Sequence, residues 1–189
     1  MKIGITGIIV GRFQVPVLTR GHIGLINEVL GLSSEVIVFI GDTKDGRIDS
    51  HDPLPYQSRR KMIQSAFPDK PLKIFRLEDI GNFPLWVKEL DNTIDLFVKT
   101  EIIRYSGEII LFGSRDSFIS GYKANSGKYK TREIKEIGNG VSGTKSRYDC
   151  YKSGIVDSLD FRKGIIWALY ENDKYQEKLN SEELDGTRD

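Results

Sequence analysis

The chain has 189 residues, 39% of them hydrophobic and 29% charged, with a formal net charge of +1. This composition excludes a disordered or membrane-embedded class, and the near-zero charge excludes the broad basic footprint of a nucleic-acid binder. The length fits one domain with a sizeable core, and the single cysteine, Cys150, allows no internal disulfide, which fits a reducing cytoplasm.

The N-terminal "MKIGITGIIVG" runs straight into patterned sequence with no cleavage-like site, so it reads as a first strand, Ile5 to Gly11, and not as a signal peptide. Next comes "GHIGLINEVLGL", where Ile23, Ile26, Val29 and Leu30 recur at helical spacing. Further strands are expected at Glu35–Asp42, Leu72–Asp79, Glu108–Ser114 and Arg132–Gly138, with Glu35–Asp42 and Glu108–Ser114 almost continuously apolar, as suits strands covered on both faces. Between them, "YQSRRKMIQSAF" carries Met62, Ile63 and Phe67 on one stripe. "FPLWVKELDNTIDLFVKTEII" forms a longer helix with Pro84 in its first turn. The stretch Ser114–Thr131, with Gly121, Gly127 and several lysines, reads as a long loop. A last helix is expected over about 160–175 and a tail over 176–189, which makes 1–175 a single domain. Strands alternating with helices predict an α/β fold, doubly wound around a mainly parallel five-stranded sheet with a C-terminal helical extension. Ligands in such folds sit beyond the carboxyl ends of the strands, where the winding reverses.

Two strand-to-helix openings stand at that edge. In "GRFQVPVLTRGHIGLI", Gly21 and His22 begin a helix whose free N–H groups can meet an anion, and Arg12 adds a permanent charge. A plain helix start, with His22 as a capping or packing residue, accounts for the same spacing. In "GVSGTKSR", Ser142 or Thr144 can cap a second helix and Arg147 can reach a phosphate from its first turn, though a simple N-cap again fits.

Together these residues resemble the nicotinamide mononucleotide adenylyltransferases, of the archaeal and Nudix-fused type, within the HxGH nucleotidyltransferase superfamily. "GRFQVPVLTRGH" is similar to that family's G-R-F-Q-x-x-(H/T)-x-G-H signature and "VSGTKSR" to its I-S-x-T-x-x-R. "DPLPYQSRRKMI" is similar to the segment N-P-F-x-x-x-E-R-x-x-M-I, "LWVKEL" to the W-V helix, and "FGSRDSF" stands where the family has a G-x-x-K-D-S-S-like loop. The match covers about four fifths of the chain with the motifs in the family's order. Thr19 stands where many members have a first histidine, and Asp52 and Ser58 replace an Asn and a Glu. No Nudix box follows, so no hydrolase domain is expected.

The resemblance implies transfer of AMP from ATP to nicotinamide mononucleotide by direct in-line attack, with pyrophosphate leaving and Mg2+ arriving on the ATP. It implies a catalytic set of His22, Thr19, Arg12 and Arg147, with Thr19 as the weaker second donor. ATP would be bound by Gly11, Arg12, Phe13, Gln14, Thr19, Gly21, His22, Ser142, Gly143, Thr144 and Arg147. Trp86, Ile80 and Asn82 would hold the nicotinamide side, with Asp116 and Ser117 as further candidates for that pocket, although core packing explains Trp86 equally well. The lysines of 123–130 read as a solvated loop or a lid, and His51 as a loop residue. No metal ligand is expected from the protein, no nucleic acid or membrane partner, and a homo-oligomer stays open. The alternatives are a pantetheine-phosphate adenylyltransferase or a cytidylyltransferase, and, from another class, a nucleotide-binding regulator without turnover.

Overall fold

The β-branched runs pair side by side. In the computed structural model, which describes residues 4–15, 18–43, 52, 54–104, 107–114 and 117–135, five strands form one sheet. They are β1 (Ile5–Gly11), β2 (Glu35–Thr43), β3 (Leu72–Asp79), β4 (Glu108–Gly113) and β5 (Lys130–Glu133). The order is β3-β2-β1-β4-β5 and every pairing is parallel, with Ile8 of β1 opposite Ile37 of β2 and Leu111 of β4. The chain winds outward from β1 to β3 and returns across the sheet to β4, so the reversal lies between β1 and β4. Gly11, Thr43, Asp79 and Gly113 therefore end their strands at one edge.

Alternation of side chains divides the core into two layers. Ile9, Val36, Val38, Ile40, Ile110 and Phe112 pack on one face against Ile26 and Val29 of α1 (Arg20–Leu32) and Ile63 of α2 (Tyr56–Ala66). On the other face Ile8, Ile37, Phe39, Ile109 and Leu111 meet Val87, Leu90 and Ile94 of α3 (Phe83–Lys99) and Ile119 and Tyr122 of α4 (Ile119–Ala124). The two covered faces make the predicted doubly wound, Rossmann-like α/β fold, here with an entirely parallel sheet among the described residues.

Local differences from the expectations have physical reasons. The stretch expected as a loop over 114–131 contains α4, whose Ile119 and Tyr122 lie one turn apart and are both buried. Tyr122 is held further by its hydroxyl, which donates to Asp91 of α3. Helix α3 stops at Lys99, because Glu101 takes a left-handed backbone with φ of 57°. Strand β5 starts at Lys130, two residues before the expected Arg132, and ends at Glu133. Ile23 is 38% exposed, since the stripe of α1 that meets the sheet is centred on Ile26 and Val29 with Leu25 and Leu32 beside them. The expected helix over 160–175 lies outside the described residues, as does the tail.

Candidate active site

The end of β1 and the start of α1 are joined through two rings. Phe13 has a φ of 52°, an uncommon conformation for a residue with a Cβ, and its buried side chain turns back under β1. A Cβ at Gly11 would come to 3.0 Å from the Phe13 ring, so glycine at this position lets the ring fold in. The ring centroid of Phe13 lies 5.2 Å from that of His22, with the planes tilted by 43°. His22 reaches Phe13 because it stands three, four and seven residues before Leu25, Ile26 and Val29, on the stripe of α1 that faces the sheet.

Helix α1 begins with a capping box in which His22 takes the place that Glu or Gln commonly fills. The N–H of His22 donates to Thr19 Oγ1 at 3.4 Å, and the N–H of Thr19 donates to His22 Nδ1 at 3.2 Å. Thr19 Oγ1 also lies 2.8 Å from Nδ1. Nε2 makes no hydrogen bond among the described residues. Burial lowers the pKa of His22 below 6.5, which favours the neutral ring at neutral pH. Gly21, exposed in the first turn, leaves the helix opening uncovered.

Charges at the carboxyl edge are tightly paired. Arg12 donates through Nη1 to Asp52 Oδ2 at 2.9 Å and through Nη2 to Asp79. Both carboxylates hold an arginine whose side chain is still 52% exposed. Beneath it lies Arg59, fully buried, which donates to the carbonyl oxygens of Arg12 at 2.8 Å and Gly41 at 2.6 Å and pairs with Asp42. Burial pulls the guanidinium below its ordinary pKa, and Asp42 opposes that shift. Asp42 also accepts from Arg76 Nε at 2.7 Å. Gln14 is buried and binds the backbone of Leu54 in both directions, at 2.9 and 3.1 Å, so its amide pins the segment that carries Asp52.

A cavity of about 530 Å³ opens beside this cluster, lined by Gly11 and Arg12 of the β1 end, Gly41, Asp79, Gly81, Asn82, Trp86 and Ser117 among others. Asn82 caps α3 by accepting from the N–H of Leu85 at 3.1 Å. Asp79 turns the preceding chain by accepting from Gly81, whose φ of 67° is the left-handed conformation that glycine adopts without strain. Trp86 is half-buried, with Phe83 at 5.3 Å and Phe118 at 5.7 Å between ring centroids, and so combines core packing with a face on the cavity. Ser117 accepts from the N–H of Ile119 at 3.4 Å. Ile80 is 37% exposed and does not line the cavity.

Of the residues expected at the site, Gly11, Arg12, Asn82, Trp86 and Ser117 share one cavity wall, and Phe13, Thr19 and His22 form the neighbouring α1 opening. Gln14 is engaged behind them, while Asp116, Ser142, Gly143, Thr144, Arg147 and His51 lie outside the described residues. Sequence reasoning missed Arg59, Asp42 and Asp79. A signal for Arg59 existed, since it stands four residues before Ile63 on the apolar stripe of α2, a place where an arginine must be buried with partners. Among the described residues no group of three or more His, Cys, Asp or Glu side chains could hold a metal ion, and no helix is long and apolar enough to cross a membrane.

A parallel five-stranded sheet with a phosphate-type opening after β1 and a cavity at its winding reversal defines a nucleotide-binding α/β protein. The chain belongs to the cytidylyltransferase-like family, whose model matches residues 8–147, and so to the nucleotidyltransferase superfamily. No curated protein matches the sequence. Among solved structures, a bifunctional NMN adenylyltransferase/ADP ribose pyrophosphatase from Francisella tularensis shares the fold with a TM-score of 0.63 at 16% identity, over 89% of this chain and 54% of that one. A second structure, of a bifunctional NMN adenylyltransferase/ADP ribose pyrophosphatase from the same organism complexed with AMP and a manganese ion, gives 0.61 at 18% identity, over 89% and 53%. The chain thus spans about half the length of these neighbours.

Proposed function

We propose that this chain transfers AMP from ATP to nicotinamide mononucleotide, giving NAD and pyrophosphate. An oxygen of the mononucleotide's 5'-phosphate bonds to the α-phosphorus as the bond to the leaving pyrophosphate breaks in line, with no covalent enzyme intermediate. The observation that carries this reading is the single cavity that joins Arg12 and Gly11, at the end of β1, to Trp86 and Asn82, at the start of α3. It offers a cation for a phosphate and an indole face for a flat pyridinium ring within one enclosure.

Transfer of this kind asks the protein for positioning and for donors where negative charge builds. In our reading His22 donates from Nε2–H to the α-phosphate, and Arg12 leaves Asp52 and Asp79 to meet phosphate. Ser142, Gly143, Thr144 and Arg147 hold the β- and γ-phosphates from the second opening. Trp86 stacks on the nicotinamide, with Asn82, Asp116 and Ser117 around it, while the side chain of Ile80, which does not line the cavity, takes no part. The carboxylates of Asp42, Asp52 and Asp79 are all paired with arginines, so a magnesium ion would enter on the triphosphate, where it neutralises phosphate charge.

The test is pyrophosphate release with ATP or CTP against nicotinamide mononucleotide, nicotinic acid mononucleotide and phosphopantetheine. NAD formed from ATP and nicotinamide mononucleotide is the expected result. Turnover only with CTP, or only with phosphopantetheine, would replace the proposal with another transferase of the superfamily, and binding without pyrophosphate release would make the chain a nucleotide-binding regulator.

A further inference from the structure

The structure assigns to Thr19 a role other than phosphate donor: we infer that it is a positioning residue, which fixes the proton of His22 on Nε2. Two of its groups converge on Nδ1, the backbone N–H at 3.2 Å and the hydroxyl oxygen at 2.8 Å. A backbone N–H can only donate, so Nδ1 is the lone-pair nitrogen of the neutral ring and the proton sits on Nε2. The hydroxyl is accounted for in the same way. Its oxygen already accepts from the N–H of His22 at 3.4 Å, and with Nδ1 as acceptor the 2.8 Å contact makes the hydroxyl a donor that shares the one Nδ1 lone pair with the Thr19 N–H. A hydrogen given to Nδ1 is not available to a phosphate oxygen.

The opposite tautomer would set Nδ1–H against the N–H of Thr19 and leave that backbone donor without its partner. Phe13 packs against the ring and limits its rotation to another arrangement. Threonine in place of a first histidine is therefore a different device from a second phosphate donor. It turns the helix cap into a clamp that aims a neutral Nε2–H outward, and a serine serves equally while a valine keeps only the backbone half of the clamp.

The inference rests on adenylyl transfer only for its consequence in turnover. The tautomer itself is read in the full chain without nucleotide, so its failure and the failure of the proposed reaction are separate results. In a long-range 1H–15N correlation spectrum of the labelled protein, His22 is expected to show a protonated Nε2 and an unprotonated Nδ1. Thr19→Ser keeps this pattern. Thr19→Pro, tolerated at the Thr19 φ of −70°, removes both donors and lets a minor Nδ1–H fraction appear beside Nε2–H, as in an unconstrained imidazole. Thr19→Val keeps the N–H but lowers turnover about five- to tenfold with little change in ATP affinity, and Thr19→Ser restores it. An Nδ1–H tautomer in the parent protein overturns the inference, which needs no variant to fold. A ring with no Nδ1–H fraction in Thr19→Pro overturns it too, as does full turnover in Thr19→Val.

Discussion

Arg12 donates to Asp52 Oδ2 at 2.9 Å although the Asp52 side chain is only 9% exposed, so a half-exposed arginine is held at the cavity by a buried carboxylate. That carboxylate competes with any phosphate for the same guanidinium. Asp52→Asn leaves a neutral acceptor and loosens the hold. We expect ATP to bind about two- to fivefold more tightly to this variant in calorimetric titration, the range that one partly exposed ion pair supports. Weaker binding would mean that Asp52 assists the nucleotide.

Arg59 couples the ends of β1 and β2 through the carbonyls of Arg12 and Gly41 while balancing the buried charge of Asp42. Arg59→Met fills similar volume but leaves Asp42, a nearly buried carboxylate, with Arg76 as its one ion-pair partner among the described residues. The expected loss is about 3 kcal/mol in urea unfolding, as for a broken buried pair. A loss below about 1 kcal/mol would show that water replaces the guanidinium.

Trp86 has both a packing and a ligand-facing role, and the two separate kinetically. Trp86→Phe keeps an aromatic face and much of the contact with Phe118, so KM for nicotinamide mononucleotide should rise only about threefold. Trp86→Leu should raise it at least about tenfold with kcat less affected, because a stacked cation is worth roughly 1–2 kcal/mol. Equal effects of the two variants would assign Trp86 to packing alone.

His22 gives a pH dependence of stability with a definite sign. Its pKa in the folded chain is lowered below 6.5 by burial, so the unfolded chain binds more protons as the pH falls past that value. Stability from the neutral ring is complete above 6.5 and is lost toward the lower folded pKa. Between about pH 7.5 and about pH 5, the parent should lose more stability than His22→Asn in urea unfolding. Equal losses would show that the imidazole titrates freely.

Much of the fold was legible because the strands are apolar and β-branched and their ends are marked by Gly or Asp, as at Gly11 and Asp79. Helix α4 was not, since only two of its six residues are buried and its anchor, Asp91, is contributed by a distant helix. At the site the sequence offered His22 as either a helix-start residue or a chemical one, and the capping box shows that Nδ1 serves the helix, with no hydrogen bond on Nε2 among the described residues. The pairing of Arg12 with Asp52 and Asp79 is invisible in sequence because the partners are 40 and 67 residues away and meet only when β1 and β3 share an edge.

The proposed reaction is adenylyl transfer that makes NAD, with His22 as the donor at the α-phosphate. Its most direct test is NAD formation from ATP and nicotinamide mononucleotide by the parent chain and by His22→Ala, with ATP affinity measured alongside. We predict turnover by the parent, and a loss of about 10²- to 10³-fold in His22→Ala at an ATP affinity changed by less than about threefold. No NAD from the parent would rule out this reaction, and undiminished turnover in His22→Ala would rule out His22 as its donor.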